Sequence, residues 1–275
     1  MTVAQALAAA HALGLDRLDA QLLLLLALGR SGRDRGWLLA HDSDEISAPA
    51  ASSYLALCER RAAGEPLAYL TGSKEFHGLE LFVDPRVLVP RPDTETLVDW
   101  ALELLQGFDA PRVVDLGTGS GAIALAIKHA NPPAHVTATD SSEQALEVAR
   151  ANAARLQLDV QFIAGSWFEP VTQAQELIVS NPPYIAQGDP HLPALRHEPR
   201  EALVAGRDGL DAIRTIVSAA PGWLVARGWL LLEHGYDQAS AVRSLLSKAG
   251  FGYVASRRDL AGIERCTGGQ WLEQG

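Results

Sequence analysis

The residues that first suggest chemistry are Asn181-Pro182-Pro183-Tyr184, which follow directly on the apolar run Leu177-Ile178-Val179. A Pro-Pro pair cannot continue a strand, because each ring fixes φ and removes a backbone donor. An Asn-Pro step also opens ordinary turns, so these four residues need a neighbouring site before they carry a chemical meaning. What they could do is hold a planar NH2 group. Such a nitrogen is a weak nucleophile because its lone pair is delocalised into a carbonyl or a ring. The Asn181 side-chain oxygen and the Pro182 carbonyl could accept its two N–H bonds and draw the lone pair out of conjugation. Pro182 and Pro183 would stiffen the loop, so that its acceptors need little reorganisation at the transition state. Tyr184 would supply an aromatic wall for the flat group.

A second stretch, Asp115-Leu-Gly-Thr-Gly-Ser-Gly-Ala122, offers a site for a ligand. Gly117, Gly119 and Gly121 allow a tight turn and close backbone approach, with Thr118 and Ser120 between them. The loop opens a helix whose first N–H groups point at whatever binds. Asp140 lies about twenty residues on, where a carboxylate can accept from ribose hydroxyls. The pattern fits a dinucleotide as well as S-adenosyl-L-methionine (SAM). Asp115 favours SAM, since a carboxylate there suits an ammonium and a sulfonium better than a pyrophosphate. The Asn-Pro-Pro-Tyr loop favours it again, because an NAD-dependent dehydrogenase would leave that loop unexplained and no catalytic His or Tyr-Lys pair is evident.

Residue patterns place these stretches on definite elements. Strands are predicted at 112–116, 135–139, 160–163, 176–180, 228–233, 252–258 and 270–274, with helices near 121–130, 142–155, 209–220 and 237–249. Ser141 and Gln144 suggest a capping box for the second of these helices. Apolar runs alternating with amphipathic segments indicate a doubly wound α/β sheet, where ligands bind at the carboxyl ends of the strands. Ahead of it, helices are expected near 2–13, 17–29, 34–41 and 48–63. The expected organisation is a helical N-terminal domain over 1–75, a hairpin and linker over 76–92, and an α/β domain over 93–275.

Composition excludes several classes. The chain has 275 residues, 48% apolar and 20% charged, with a net charge of −10. That acidity weighs against binding nucleic acid through its phosphates. Cys58 and Cys266 are far apart and form no ligand pattern, and the histidines are scattered, so no metal site is expected. Leu22 to Leu28 is much shorter than the ~20 apolar residues of a spanning helix. No basic segment precedes it. A cytoplasmic protein with no membrane contact is expected.

Four stretches together carry a resemblance: Val87 to Val98 (VLVPRPDTETLV), Val113 to Ala126 (VVDLGTGSGAIALA), Ser180 to Ile185 (SNPPYI) and Glu198 to Ile216 (EPREALVAGRDGLDAIRTI). They are similar to the HemK family of protein-(glutamine-N5) methyltransferases. The Asn-Pro-Pro-Tyr motif is shared with adenine-N6 DNA methyltransferases, whereas Pro-Arg-Pro-Asp-Thr-Glu beside it is far more specific. The resemblance implies a seven-stranded SAM-dependent methyltransferase sheet, its last strand inserted antiparallel. It implies SAM as methyl donor and, as acceptor, the glutamine of the Gly-Gly-Gln motif of peptide chain release factors. Gly117 to Gly121, Asp140 and Asn181 then match cofactor-binding positions, and Asn181 to Tyr184 the glutamine-binding and catalytic motif. Trp167 is expected over the adenine ring. Ser166 stands where the family commonly has an acidic residue, which leaves a hydroxyl to meet the adenine amino group. The helical N-terminal domain is expected to hold the substrate protein. A ribosomal protein as methyl acceptor, or adenine in DNA, are the alternatives. Gly268-Gly269-Gln270 repeats the acceptor tripeptide within this chain, and it is expected to be only a turn and the start of the last strand.

Overall fold

A computed structural model describes residues 1–272, in two compact units that divide between Ser73 and Lys74. The first is helical: α1 (Val3–Ala12), α2 (Arg17–Ala27), α3 (Arg35–Ala40), α4 (Ala48–Ala62) and α5 (Leu67–Thr71). Three of these starts are written in the sequence. Thr2 and Gln5 form a capping box, Asp16 accepts from the Asp19 amide, and Ser47 accepts from the Ala50 amide. The leucine-rich run lies on α2, where Leu23, Leu24 and Leu25 are buried with Val3, Leu38 and Tyr54 in the core of this unit. No helix among the described residues is long and apolar enough to cross a membrane.

The second unit opens with a hairpin, β1 (Ser73–Phe76) and β2 (Leu79–Phe82). Its turn, His77-Gly78, has both φ values positive, 49° and 79°, the geometry a two-residue turn needs to match strand twist. The hairpin is more than a linker. Phe76, Leu79 and Leu81 are buried in the core of the second unit, so the division falls between residues 73 and 74. After it come α6 (Glu95–Leu104), β3 (Arg112–Leu116), α7 (Ala122–Ala130), β4 (His135–Asp140), α8 (Glu143–Leu156), β5 (Gln161–Ala164), β6 (Gln175–Ser180), α9 (Asp211–Ala219), β7 (Leu224–Glu233), α10 (Ala239–Lys248), β8 (Phe251–Arg258) and β9 (Glu264–Trp271).

Seven strands form one sheet in the order β5-β4-β3-β6-β7-β9-β8. β5 to β7 run parallel, and β9 is antiparallel to both its neighbours. Successive residues point to opposite faces, and each face has its own core. Val113, Leu177, Val179 and Leu231 face one way, with α6 and α7. Val114, Ile178, Leu230 and Leu232 face the other, with α9 and α10. Because both faces are covered, the central strands are continuous apolar runs. The chain leaves β3 toward β4 and β5 and returns with β6 on the other side, so the switch point lies between β3 and β6.

Several boundaries differ from the sequence reading. β9 begins at Glu264 rather than at 270, and residues 273 and 274 of the predicted strand lie outside the described residues. β7 begins four residues early, at Leu224. The residue that caps α8 is Ser142, accepting from the Ala145 amide, rather than Ser141. α6 was not anticipated.

Candidate active site

At the carboxyl end of β3, Gly117 turns with φ of 72°, and its amide donates to the Thr139 carbonyl at 2.8 Å. Gly119 follows with φ of 55°, its amide donating to Asp140 Oδ2 at 2.9 Å. Gly121, with φ of 84°, is the N-cap of α7, and a Cβ there would lie 3.1 Å from Leu125 Cδ1 and 3.2 Å from Ala149 Cβ. Glycine is thus required at that position by backbone conformation and packing together. Asn152, buried on α8, steadies the loop from behind. Its Nδ2 donates to the Ser120 and Phe82 carbonyls at 3.0 Å each, and its Oδ1 accepts from the Phe82 amide at 2.7 Å. Through this one side chain the hairpin braces the glycine loop.

One cleft is walled by Gly117, Thr118, Gly119 and Ser120 from the loop, Asp140 from β4, Ser166 and Trp167 after β5, and Asn181 and Pro183 after β6. Arg86, Leu88, Pro90, Arg91 and Thr94, with Glu201, also line it. Seven of the predicted cofactor residues therefore meet in one place. Gly121 stands behind that wall, Pro182 is buried, and Tyr184 lies outside it with its hydroxyl 3.4 Å from Glu233 Oε1. Trp167 has a left-handed backbone, φ 47°, and its ring edge lies 3.4 Å from where a Cβ on Gly117 would stand. Ser166 is held through its amide, which donates to Glu169 Oε2 at 3.1 Å.

Asp115 departs from expectation. Its carboxyl is fully buried and does not reach the cleft: Oδ2 accepts from the Thr118 hydroxyl at 2.6 Å and from the Ala124 amide at 3.2 Å, while Oδ1 has no partner among the described residues. It secures the glycine loop to the first turn of α7. Burial pushes its pKa up to about 7, against the two hydrogen bonds, which favour ionisation. Burial also raises Asp140, and the Ser142 and Gly119 amides oppose it. Asp140 Oδ1 accepts from the Ser142 amide and Oδ2 from the Gly119 amide, and the Ser141 amide also favours the ionised carboxyl. A carboxylate has about four acceptor positions, so these amides leave capacity for a ligand hydroxyl. Left-handed glycines that bring the backbone to the cleft and a carboxylate at the end of β4 suit a nucleoside ligand, and SAM fits this set.

The loop after β6 is fixed by residues that sequence reasoning passed over. Ser180 Oγ donates to the Leu116 carbonyl at 2.6 Å, locking the ends of β3 and β6 together. Asn181 Nδ2 donates to Thr94 Oγ1 at 3.2 Å, which leaves Oδ1 as a free acceptor. Arg91 pairs at 2.5 Å with Glu198, whose side chain is only 3% exposed and also accepts from the Val89 amide. Two of the stretches that carry the resemblance, Pro-Arg-Pro-Asp-Thr-Glu and the one opening Glu-Pro-Arg-Glu, are thereby joined beside the cleft. Their shared signal was charge at polar, Pro-rich turns, which does not by itself name a partner. Among the described residues no group of His, Cys, Asp and Glu could hold a metal ion.

Comparison with known proteins agrees with this geometry. A family model described as PrmC N-terminal domain matches residues 2–72, and one described as Methyltransferase small domain matches residues 95–202. The release factor glutamine methyltransferase of Bordetella pertussis is 54% identical over 260 residues, covering 93% of this chain and 95% of that one. The protein of the same name from Burkholderia pseudomallei is 51% identical over 267 residues, covering 93% and 92%. Among solved structures, a methyltransferase from Pyrococcus furiosus superposes with a TM-score of 0.53 at 20% identity, covering 71% of this chain and 90% of that one, a likeness of fold.

Proposed function

We propose, since the chain belongs to the release factor glutamine methyltransferase family, that it moves a methyl group from SAM to the side-chain amide nitrogen of the glutamine in the Gly-Gly-Gln motif of a peptide chain release factor. The observation that carries this is Asn181. It sits in the wall of the cleft that holds the glycine loop and Asp140, with its Nδ2 engaged by Thr94 and its Oδ1 available.

Bound SAM supplies an electrophilic methyl group on a sulfonium. Gly117 to Ser120 and Asp140 are read as its binding residues, Asp140 accepting from the ribose, with Trp167 against the adenine. Gly121 acts from behind the wall by opening α7, and the buried Pro182 ring stiffens the loop that carries the Pro182 carbonyl. Asn181 Oδ1 and the Pro182 carbonyl then accept the two N–H bonds of the glutamine amide and turn its lone pair toward the methyl group. Pro183 and Tyr184 complete the loop as substrate contacts. A carboxamide is neutral, and on methyl transfer its nitrogen becomes acidic enough to lose a proton to water, so no strong base is required. Residues 1–75 are read as the part that holds the release factor.

Labelled SAM distinguishes this reading from its rivals. Transfer to a release factor, absent when the glutamine of its Gly-Gly-Gln motif is replaced by alanine, supports it. Label appearing instead in a ribosomal protein or in adenine-containing DNA refutes it.

A further inference from the structure

The turn Gly206-Arg-Asp-Gly-Leu210, within the last of the four stretches that carry the resemblance, has no part in the chemistry proposed above. It lies against the back of the catalytic loop. Ile185, the residue after Tyr184, donates its amide to the Leu203 carbonyl at 2.8 Å and accepts from the Ala205 amide at 3.0 Å. The Gln187 amide adds a bond to the Gly206 carbonyl at 2.8 Å, so the chain leaving the motif is paired with the segment that leads into the turn. Gly209 then closes on Tyr184 itself. Its φ is 75°, and a Cβ there would overlap the Tyr184 carbonyl oxygen and stand 2.8 Å from Gln238 Nε2. Leu210 beside it is buried in the core with Ile213 and Leu230, so the turn cannot back away without vacating that core.

Gln238 completes the enclosure from the start of α10, where it is the N-cap residue. Its Nε2 donates to the Tyr184 carbonyl at 3.0 Å and to the Asp208 carbonyl at 3.3 Å, and its Oε1 accepts from the Gly235 amide at 2.8 Å. Only one orientation of the amide satisfies all three, because the carbonyls need a donor and the Gly235 N–H needs an acceptor. One side chain therefore ties the catalytic loop to the turn and to the residues that follow β7.

We propose that Gly209 and Gln238 are positioning residues: they seat the Tyr184 carbonyl from behind and so set how far the Asn181-to-Tyr184 loop reaches toward the substrate. The inference rests on the reading that this loop binds the glutamine amide. Its physical ground is what prolines lack. Pro182 and Pro183 have no N–H, so the middle of the loop can be held only through its carbonyls and its two ends. The front end is fixed by Ser180 on the Leu116 carbonyl and by Asn181 on Thr94. Asn181 Oδ1 and the Pro182 carbonyl are reserved for the substrate and cannot also anchor the loop. The structure anchors the rear end at the Tyr184 carbonyl, and the stiff proline pair carries that placement back to Pro182.

Gln238→Glu separates positioning from folding. It keeps an acceptor for the Gly235 amide and places a negative charge at the start of α10, which a helix favours. Above neutral pH, where it is ionised, it has no N–H for Tyr184. In methyl transfer to a release factor, kcat should fall about tenfold to 10²-fold, as misplacement by up to ~1 Å costs, with SAM affinity little changed. Gly209→Ala should do the same by pushing the carbonyl forward; if that chain fails to fold, Gln238→Glu and Gln238→Ala decide. A lower urea midpoint with the kcat of the folded enzyme unchanged would show that the pair serves only the fold, and overturns the inference. Without any substrate, the NMR signals of the Tyr184 carbonyl carbon and the Asn181 side-chain NH2 should shift in Gln238→Glu, while the Gly119 amide stays in place. Asn181 signals indifferent to the Gln238 substitutions overturn the inference, whatever the protein methylates. If those signals respond as expected but the wild type methylates no release factor, the proposed function falls and the seat stands.

Discussion

Asn181 and Asp140 both face the cleft, yet their removal should have different signatures. On the proposed function, Asn181→Ala deletes an acceptor whose importance grows as the nitrogen is attacked, so kcat should drop by about 10²–10³ while SAM binding weakens little. Steady-state kinetics with a release factor checks this, and a near wild-type kcat would remove Asn181 from the chemistry. On the same proposal, Asp140→Ala deletes hydrogen bonds to hydroxyls that do not react. Calorimetry should show SAM affinity weakened by at least ~1.5 kcal/mol, the usual worth of a hydrogen bond to a charged group. The place of both residues in the cleft was legible in the sequence because each ends an apolar strand beside a turn former, at the edge where an α/β sheet binds its ligands. Asp115 misled for the complementary reason. A carboxylate just before a glycine loop reads the same whether it faces the ligand or the first turn of a helix. Thr94 was invisible as the partner of Asn181 because the two lie 87 positions apart.

Among the elements, β9 shows how packing can override local preference. Cys266-Thr-Gly-Gly-Gln270 has two glycines, which are poor strand formers, and the sequence reading accordingly began the strand only at Gln270. The structure pairs Gly268 and Gly269 with β7, and Gly268 with β8 as well. A Cβ on Gly268 would come within 2.3 Å of Leu231 Cδ2, and one on Gly269 within 2.9 Å of Phe251 Cβ. The glycines are there because the sheet leaves no room for more. This also decides what the Gly-Gly-Gln tripeptide of this chain can do. Drawing it into the cleft would break ladder bonds on both sides of β9, a cost comparable with the whole stability of a domain, ~5–15 kcal/mol. Gln270 should therefore remain unmodified after incubation with SAM. Peptide mass spectrometry that finds a methyl group on Gln270, absent in Asn181→Ala, would refute this. α6 escaped the sequence reading for a simpler reason: it starts inside the Pro-rich Val87–Val98 stretch, whose turn formers mask the apolar face of Leu97, Val98 and Ala101.

For the whole molecule, the buried carboxyls give stability an uncommon pH dependence. Asp115 and Glu233 are both raised to about 7 in the fold, from ordinary values of 3.8 and 4.5. A group whose folded pKa is raised binds its proton more tightly when folded. Its contribution is complete below the unfolded value and is lost as pH climbs through the folded one. Urea unfolding should thus show stability declining between about pH 4 and pH 7. Asp115→Asn should flatten the decline, by on the order of 1.4 kcal/mol for every tenfold difference in proton affinity between the folded and unfolded chain. An identical slope in wild type and Asp115→Asn would mean that this carboxyl is not strained. Such strain is what a site built from fixed polar groups retains, since the same burial that destabilises the carboxyls strengthens the contacts around them. The methyl group itself gives the most direct test of what the site is for. Protein, SAM and a release factor are incubated, and the peptide spanning Gly-Gly-Gln is sequenced by tandem mass spectrometry. The predicted result is one added methyl on the glutamine side-chain amide, nearly absent when Asn181 is replaced by alanine. A methyl group on any other residue, or undiminished transfer by Asn181→Ala, would contradict it.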